Sequence, residues 1–350
     1  MGNDLNQTLG EELVVGLDAG GTRTRVVLAA AEADGRFLGE GAAGPGNALT
    51  VPVPRLTDHL AEAVAEAVPP RLRGSVVSVV GGFAGATAAS PDDPGHVNAR
   101  AALTTALGRL GVPAGPVGIC SDIEAAFAAA PGTPADGLAL VAGTGAVAMR
   151  ITGRHGTATV DGDGWLLGDD GSGFWIGRAA VRAALRTADG RGQATVLAET
   201  VGRVLGLPDE VLPDQVLPDQ VLPGEVLPNG PWTRADREAY RMHLLPAVMA
   251  EPPIRLARFA PLVAEAAAAN DAVAQAVLDE AADHLTDTVR ALEPDPGERI
   301  VATGGLLGPG GPLTPRLTAR LRALGLTLDW VADGSRGAVA LARLAHGGAR

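Results

Sequence analysis

Lysine is missing from this 350-residue chain, and all 28 basic residues are arginine. That excludes Schiff-base lysines and the lysine of a Walker loop. Cysteine occurs once, at Cys120. No intrachain disulfide can form, so nothing here marks an oxidising compartment. A multi-cysteine zinc or iron–sulfur site within one chain is excluded for the same reason. No stretch of about 20 apolar residues suggests a membrane span. Residues 1–12 are polar and lack the hydrophobic core of a signal peptide. Positive charge is in deficit: the net charge is −12, so neither nucleic acid nor an anionic membrane is expected as main partner. His59, His96, His155, His243, His284 and His346 are scattered without HExxH or paired spacing. No serine sits in GxSxG; Ser172 lies in Asp-Gly-Ser-Gly. A soluble, cytoplasmic protein is expected.

What is present is a globular composition, 46% hydrophobic, long enough for two domains. The chain is organised around residues 14–28. An apolar run ends in Asp18, a Gly20-Gly21-Thr22 turn follows, and a second apolar run begins after Arg23, Thr24 and Arg25. Two strand-like runs about a Gly-rich turn predict a β-hairpin. Such a turn can present backbone N–H groups to an anion. Thr22 and Thr24 add hydroxyls, and Arg23 and Arg25 add charge. Asp18, at the strand end, is placed to hold magnesium through water. A plain hairpin with a polar tip is the alternative.

Farther along, a strand is expected at 37–41, a helix at 55–68, and a short strand at 75–80 running into a loop at Gly81–Gly85. A helix follows at 97–110, then a strand at 117–122 ending in Asp122, then a helix at 123–130. This is α/β architecture with strand-end loops facing one crevice. A second hairpin follows: a buried strand at 138–142, a tight Gly143-Thr144-Gly145 turn, and a return strand at 146–151. The two Gly/Thr tips suggest related halves closing on one polyphosphate. Residues 161–175 form a loop dense in aspartate and glycine, with Ser172 capping a helix to 184. Residues 204–230 carry a Val-Leu-Pro pentapeptide repeat that proline bars from helix or sheet, read as a surface insertion. Helices at 260–270 and 272–292, a strand from Ile300 into Gly304-Gly305, a helix at 313–324, a strand at 326–331 and a small-residue helix at 337–344 complete the chain.

Five elements thus recur in order: the Asp18 hairpin, the Asp122 strand end, the Gly143–Gly145 turn, the Gly304-Gly305 turn and the closing Gly337-Ala338 helix. Together they resemble the actin, heat-shock ATPase and sugar kinase superfamily. Within it the chain resembles the N-acetylglucosamine kinase group, which also includes activator ATPases of 2-hydroxyacyl-CoA dehydratases, and looks most like actinobacterial glucosamine kinases. The resemblance implies an α/β fold of two ribonuclease-H-like domains about a deep cleft. The first would hold residues 1–133 plus 335–350 and the second 134–334. It implies ATP and Mg2+ as cofactors. Gly20, Gly21, Thr22, Arg23 and Thr24 would meet the terminal phosphates, Gly143, Thr144 and Gly145 would face them, and Gly304 and Gly305 would approach the adenosine. Asp122 would be the general base and, with Asp18, a metal carboxylate. An N-cap on the following helix is the other role open to Asp122, and Ser121 could fill that role instead.

The resemblance places the sugar among Asn47, Asp122, Gly145, Asp161, Gly162, Asp163 and Asp169. Relatives acting on N-acetylglucosamine commonly carry Gly-Gly-Trp-Gly in the acidic loop. Here Gly162-Asp163-Gly164-Trp165 stands there, with Asp163 near the family tryptophan. A carboxylate at that place favours a charged amine over a neutral acetamide, so Asp161 or Asp163 is expected to pair with the C2 ammonium of glucosamine. The expected activity is phosphorylation of the glucosamine 6-hydroxyl, the position coming from the family alone. N-acetylglucosamine or broad hexose kinases are the alternative, and a non-catalytic sugar sensor is the rival from another class. Activator ATPases need cysteines for a cluster between subunits, and Cys120 lies alone on a predicted strand. A homodimer is left open.

Overall fold

Alternation in the first strand sets the architecture. In β1 (Leu13–Ala19), Leu13, Val15 and Leu17 point to one side of the sheet, while Val14, Gly16 and Asp18 point to the other. Both faces are therefore covered. The computed structural model describes residues 11–32, 35–87, 92–113, 115–213 and 233–348. The first sheet adds β2 (Thr24–Ala30), β3 (Phe37–Ala43), β4 (Val76–Phe83) and β5 (Val117–Ser121), in the order β3-β2-β1-β4-β5. Strands β1, β2 and β3 are antiparallel neighbours, whereas β4 and β5 run parallel to β1.

The second sheet repeats this plan. Its strands are β6 (Gly137–Ala142), β7 (Ala146–Thr152), β8 (His155–Asp161), β9 (Arg299–Thr303) and β10 (Thr327–Trp330), ordered β10-β9-β6-β7-β8. The expectation of two ribonuclease-H-like halves is met.

Five layers result. Helices α1 (Val53–Ala67) and α2 (Pro94–Leu110) bury Leu56, Leu60, Leu103 and Leu107 on the outer face of the first sheet. Between the sheets lie α3 (Asp122–Ala128) and the last helix. On the outer face of the second sheet pack α4 (Gly173–Ala188), α5 (Leu197–Val204), α6 (Arg234–Met249), α7 (Ala260–Ala268), α8 (Ala272–Arg290) and α9 (Thr314–Ala323). The last helix, α10 (Ser335–Gly348), returns to the first sheet, where Ala338, Val339 and Ala342 join Val14, Val27 and Val80. It comes so close that a Cβ on Gly16 would strike the backbone of Ser335 and Val339. Helix α3 faces both ways: Ala125 packs with α10, and Phe127 packs toward Ala139 and Val301 of the second sheet.

Helices α5 and α6 have no counterpart among the expected elements, and three further details differ. Gly81 and Gly82 are not loop but the end of β4, paired with β1 on one side and β5 on the other. Gly82 is needed there because a side chain would press 2.5 Å from the Ala125 Cβ of α3. The strand β8 was hidden by its polar, half-exposed residues. Residues 204–213 are not all insertion: Val204 closes α5, and Asp209–Val211 form a 3₁₀ turn. The rest of the repeat, 214–230, lies outside the described residues.

Candidate active site

Asp18 ends β1 pointing inward, and Asp122 opens α3, just after β5. The two are separated by β4, where Gly82 stands opposite Asp18 and Cys120 stands opposite Gly82. With no side chain on Gly82, the two carboxylates share one desolvated space. Burial lifts the carboxyl of each, and the charge of Asp18 adds to the effect on Asp122; both stand at about 6. Asp18 is partly relieved by the Gly334 N–H, which it accepts at 3.2 Å, and by Arg25 at 3.9 Å. Arg25 also reaches Asp333 at 3.8 Å.

Helix α3 does not use Asp122 as its cap. Ser121 Oγ accepts the Glu124 N–H at 3.0 Å, and Glu124 Oε2 accepts the Ser121 N–H at 2.7 Å. This capping box leaves the Asp122 carboxylate, among the described residues, to two backbone N–H groups: that of Ile123 at 3.0 Å and its own. The other Glu124 oxygen accepts the Gly156 N–H of β8 at 2.7 Å. One buried glutamate therefore fixes the Asp122 turn and ties it to the strand leading into the acidic loop. Sequence reasoning missed Glu124. Its spacing from Ser121 was the available signal.

The first hairpin tip is held from below. Gly20 donates to the Arg23 carbonyl at 3.0 Å and accepts the Gly46 N–H at 2.9 Å. Gly21, Thr22 and Arg23 are exposed, and the N–H groups of Gly21 and Thr22 have no partner among the described residues. Thr24 differs from its neighbours: it is fully buried, and its hydroxyl is unpartnered among the described residues, beneath Gly46.

The second tip is braced by a helix. The first N–H groups of α4 donate to it, Gly173 to the Gly143 carbonyl at 2.8 Å and Phe174 to the Thr144 carbonyl at 3.1 Å. The N–H groups of Thr144 and Gly145 remain without a partner among the described residues. Gly145 lies against the Asp169 carboxylate, which accepts the Ala146 N–H at 3.0 Å. The Gly304 turn joins the same cluster. With φ at +106° its backbone passes so close to the Ala142 carbonyl that a side chain could not fit. Gly305 has open space above it.

The acidic loop is organised by Asp161. Its carboxylate accepts the N–H groups of Gly162 at 2.7 Å, Asp169 at 2.6 Å and Asp170 at 2.9 Å. Asp161 and Asp169 both carry positive φ, as do Gly162 and Gly164. Burial raises the Asp169 carboxyl, while Asp163 is exposed and makes no hydrogen bond or ion pair among the described residues. Asn47 uses Oδ1 to accept Leu49 and Thr50 N–H groups, at 2.9 and 3.0 Å, which leaves its amide N–H₂ unused among the described residues.

No group of three or more metal-ligating side chains exists among the described residues. The donor set that does exist, two carboxylates lifted by burial with a backbone anion cradle nearby, suits magnesium, which takes few protein ligands and keeps water and phosphate. No helix among the described residues is long and apolar enough to cross a membrane.

Two halves of one strand order, two glycine tips and a carboxylate pair define a two-domain, actin-like ATPase fold. The chain belongs to the BadF/BadG/BcrA/BcrD ATPase family, whose model matches residues 15–311. A solved protein of Porphyromonas gingivalis, assigned as an N-acetylglucosamine kinase, superposes with a TM-score of 0.67 at 20% identity, covering 96% of this chain and 99% of that one. A similarly assigned protein of Chromobacterium violaceum gives 0.64 at 22% identity, covering 95% and 99%. An N-acetylmuramic acid/N-acetylglucosamine kinase of Clostridium acetobutylicum is 37% identical over 62 residues, which is 18% of this chain and only 20% of that relative's length.

Proposed function

We propose that the protein is an ATP-dependent kinase of an amino sugar, D-glucosamine, acting at the 6-hydroxyl to give glucosamine 6-phosphate. The observation that carries this reading is Asp122: a carboxylate raised to about 6, freed from helix capping by Ser121, at a strand end facing Asp18. A base is most effective when its pKa lies near the working pH, where it is ionised yet still basic. Asp122 would take the proton of the sugar hydroxyl as phosphoryl transfer begins. The unpartnered N–H groups of Gly21, Thr22, Thr144 and Gly145 would hold the phosphates from both sides, with Arg23 supplying the positive charge that no lysine can. Gly304 and Gly305 would leave room for the adenosine. Magnesium, held through water by Asp18 and Asp122, would neutralise phosphate charge.

The relatives' names speak of N-acetylglucosamine, which has a neutral acetamide. The carboxylate of Asp163 supports an amine instead. Asp161 already serves three backbone N–H groups, so of the two expected partners Asp163 is the one left to meet a C2 ammonium. Asn47, Gly145, Gly162 and Asp169 would complete the sugar site. The domain limits that fit this reading are 1–133 plus 335–350, and 134–334. A coupled assay against glucosamine, N-acetylglucosamine, glucose and mannosamine tests the reading. Glucosamine should give the highest kcat/KM, Asp122→Asn should lower turnover by about a hundredfold or more, and Asp163→Asn should lower the glucosamine to N-acetylglucosamine ratio at least tenfold. An unchanged ratio would remove Asp163 from the specificity argument and favour the N-acetylglucosamine reading.

A further inference from the structure

Away from the cleft, a groove of about 560 Å³ runs between α4 and α8. Its lining carries Arg178, Arg182, Arg186 and Arg191 against one acid, Glu280. In a chain of net charge −12 this is a local reversal of sign. The first three arginines fall at i, i+4 and i+8 of α4, so they form one row roughly 12 Å long. Like charges at that spacing destabilise a helix. Several other arginines of the second half stand against an acid: Arg150 with Glu298, Arg203 with Glu199, Arg258 with Glu251, Arg320 with Asp283. Arg178, Arg182 and Arg186 have no acidic partner among the described residues. Arg178 lies over the Phe174 ring at 5.6 Å, and Arg186 donates to the Arg191 carbonyl at 3.1 Å. Arg191 is ion-paired with Asp189, and Glu280 lies 3.9 Å from His284. The facing wall is small, with Ala272 and Ala276, so the guanidinium forks stay within reach of a ligand.

We propose that this groove binds a linear oligophosphate, with Arg178, Arg182 and Arg186 each taking successive phosphate oxygens. A guanidinium meets phosphate with two parallel N–H groups, and a row of them fits a chain of anions better than a single one. The triphosphate tail of a nucleotide and a free inorganic oligophosphate share this chemistry. The groove sits on the helix that braces the second hairpin, but none of its lining residues belongs to the proposed ATP or sugar contacts.

Calorimetric titration of the intact protein with sodium tripolyphosphate at low salt tests this. The protein should show a binding equivalent that Arg182→Glu/Arg186→Glu weakens at least tenfold and that Arg23→Ala, at the cleft, leaves in place. Inorganic phosphate should bind there at least tenfold more weakly than tripolyphosphate. Competition by ATP for this equivalent identifies the nucleotide tail as occupant, and absence of competition identifies free oligophosphate. A change in the emission of Trp175, which lines the groove, should accompany binding and be lost in Trp175→Phe, a readout that leaves the arginines untouched. Unchanged stoichiometry and affinity in the double variant, or tripolyphosphate binding no tighter than phosphate, overturns the proposal.

Discussion

Asp18 Oδ2 accepts the backbone N–H of Gly334 at 3.2 Å across 316 residues of sequence. The bond ties the end of β1 to the residue just before α10. Gly334 also lies against α3: a Cβ there would stand 3.1 Å from the Ala125 Cβ and 3.3 Å from the Asp122 carbonyl oxygen. One residue thus touches both carboxylate-bearing elements, and disturbance at either acid is felt at this junction.

Asp18→Asn should stabilise the ligand-free protein near neutral pH while impairing its activity. The Asp18 carboxyl rises from 3.8 to about 6 on folding. Below about pH 4 both folded and unfolded chains hold the proton, and there is no penalty. Between 4 and 6 the folded chain holds more protons, so stability falls as pH rises, and above about 6 the penalty is complete. At 1.36 kcal/mol per pKa unit it is roughly 3 kcal/mol. Scanning calorimetry should show Asp18→Asn melting above the parent at pH 7.5, with the difference closing toward pH 4. A variant that melts below the parent at pH 7.5 contradicts this.

Asp122→Asn should lower kcat by about 10²- to 10⁴-fold, the range of a lost general base, with a smaller change in sugar KM. Asp122→Asn also removes the charge that faces Asp18. The single variant should therefore gain thermal stability even as it loses turnover. Steady-state kinetics and a melting curve on the same preparation check both signs together.

Glu124→Ala should destabilise the fold by about 2–4 kcal/mol, because a buried N–H group, that of Ser121, and a part-buried one, that of Gly156, lose their acceptor. Glu124→Gln keeps one acceptor oxygen and should fall between parent and alanine. If Glu124 positions Asp122, kcat drops in both variants in that order while ATP KM changes little. Urea melts paired with kinetics separate the two effects.

Gly304→Ala should cost about 1–3 kcal/mol, since φ of +106° is foreign to a residue with a side chain and the Cβ would strike the Ala142 carbonyl. Relief can come only by moving the turn away from the second hairpin. The KM for ATP should rise severalfold with sugar KM nearly constant. An equal rise in both would place Gly304 outside the nucleotide side of the cleft.

The hairpins were legible because their chemistry is local. A strand, an aspartate, two glycines and a threonine leave few conformations besides a tip with free N–H groups. Asp122 was legible as a strand end, and Ser121 as the alternative cap; the Glu124 that completes the capping box stood three residues on, but its second bond, to Gly156 of β8, is set only by the fold. Gly81 and Gly82 read as loop because glycine signals turns. Only the arrival of α3 at Ala125 explains why glycine sits inside a central strand. Asp161 and Asp163 looked equivalent in sequence. Positive φ at Asp161 turns its carboxylate onto the loop's own N–H groups and leaves Asp163 facing out. The arginine row of α4 follows a four-residue spacing, but its meaning rests on which acids are absent around it, and periodicity does not report that.

Helix α10 has a bearing on how the chain is made. Gly16 is shaped to receive the Ser335–Val339 turn, Arg343 donates to the Ala30 carbonyl at 3.0 Å and the Gly35 carbonyl at 2.8 Å, and His346 lies 3.0 Å from Glu12. Through most of synthesis, therefore, the inner face of the first sheet, with Val14, Val27 and Val80, has only Ala125 of α3 against it among the helices described. The second sheet and its outer helices, β6 to β10, are complete in one continuous stretch before α10 emerges. On the ribosome the later-made half can be finished while the earliest-made strands still lack the helix that completes the cover of their inner face.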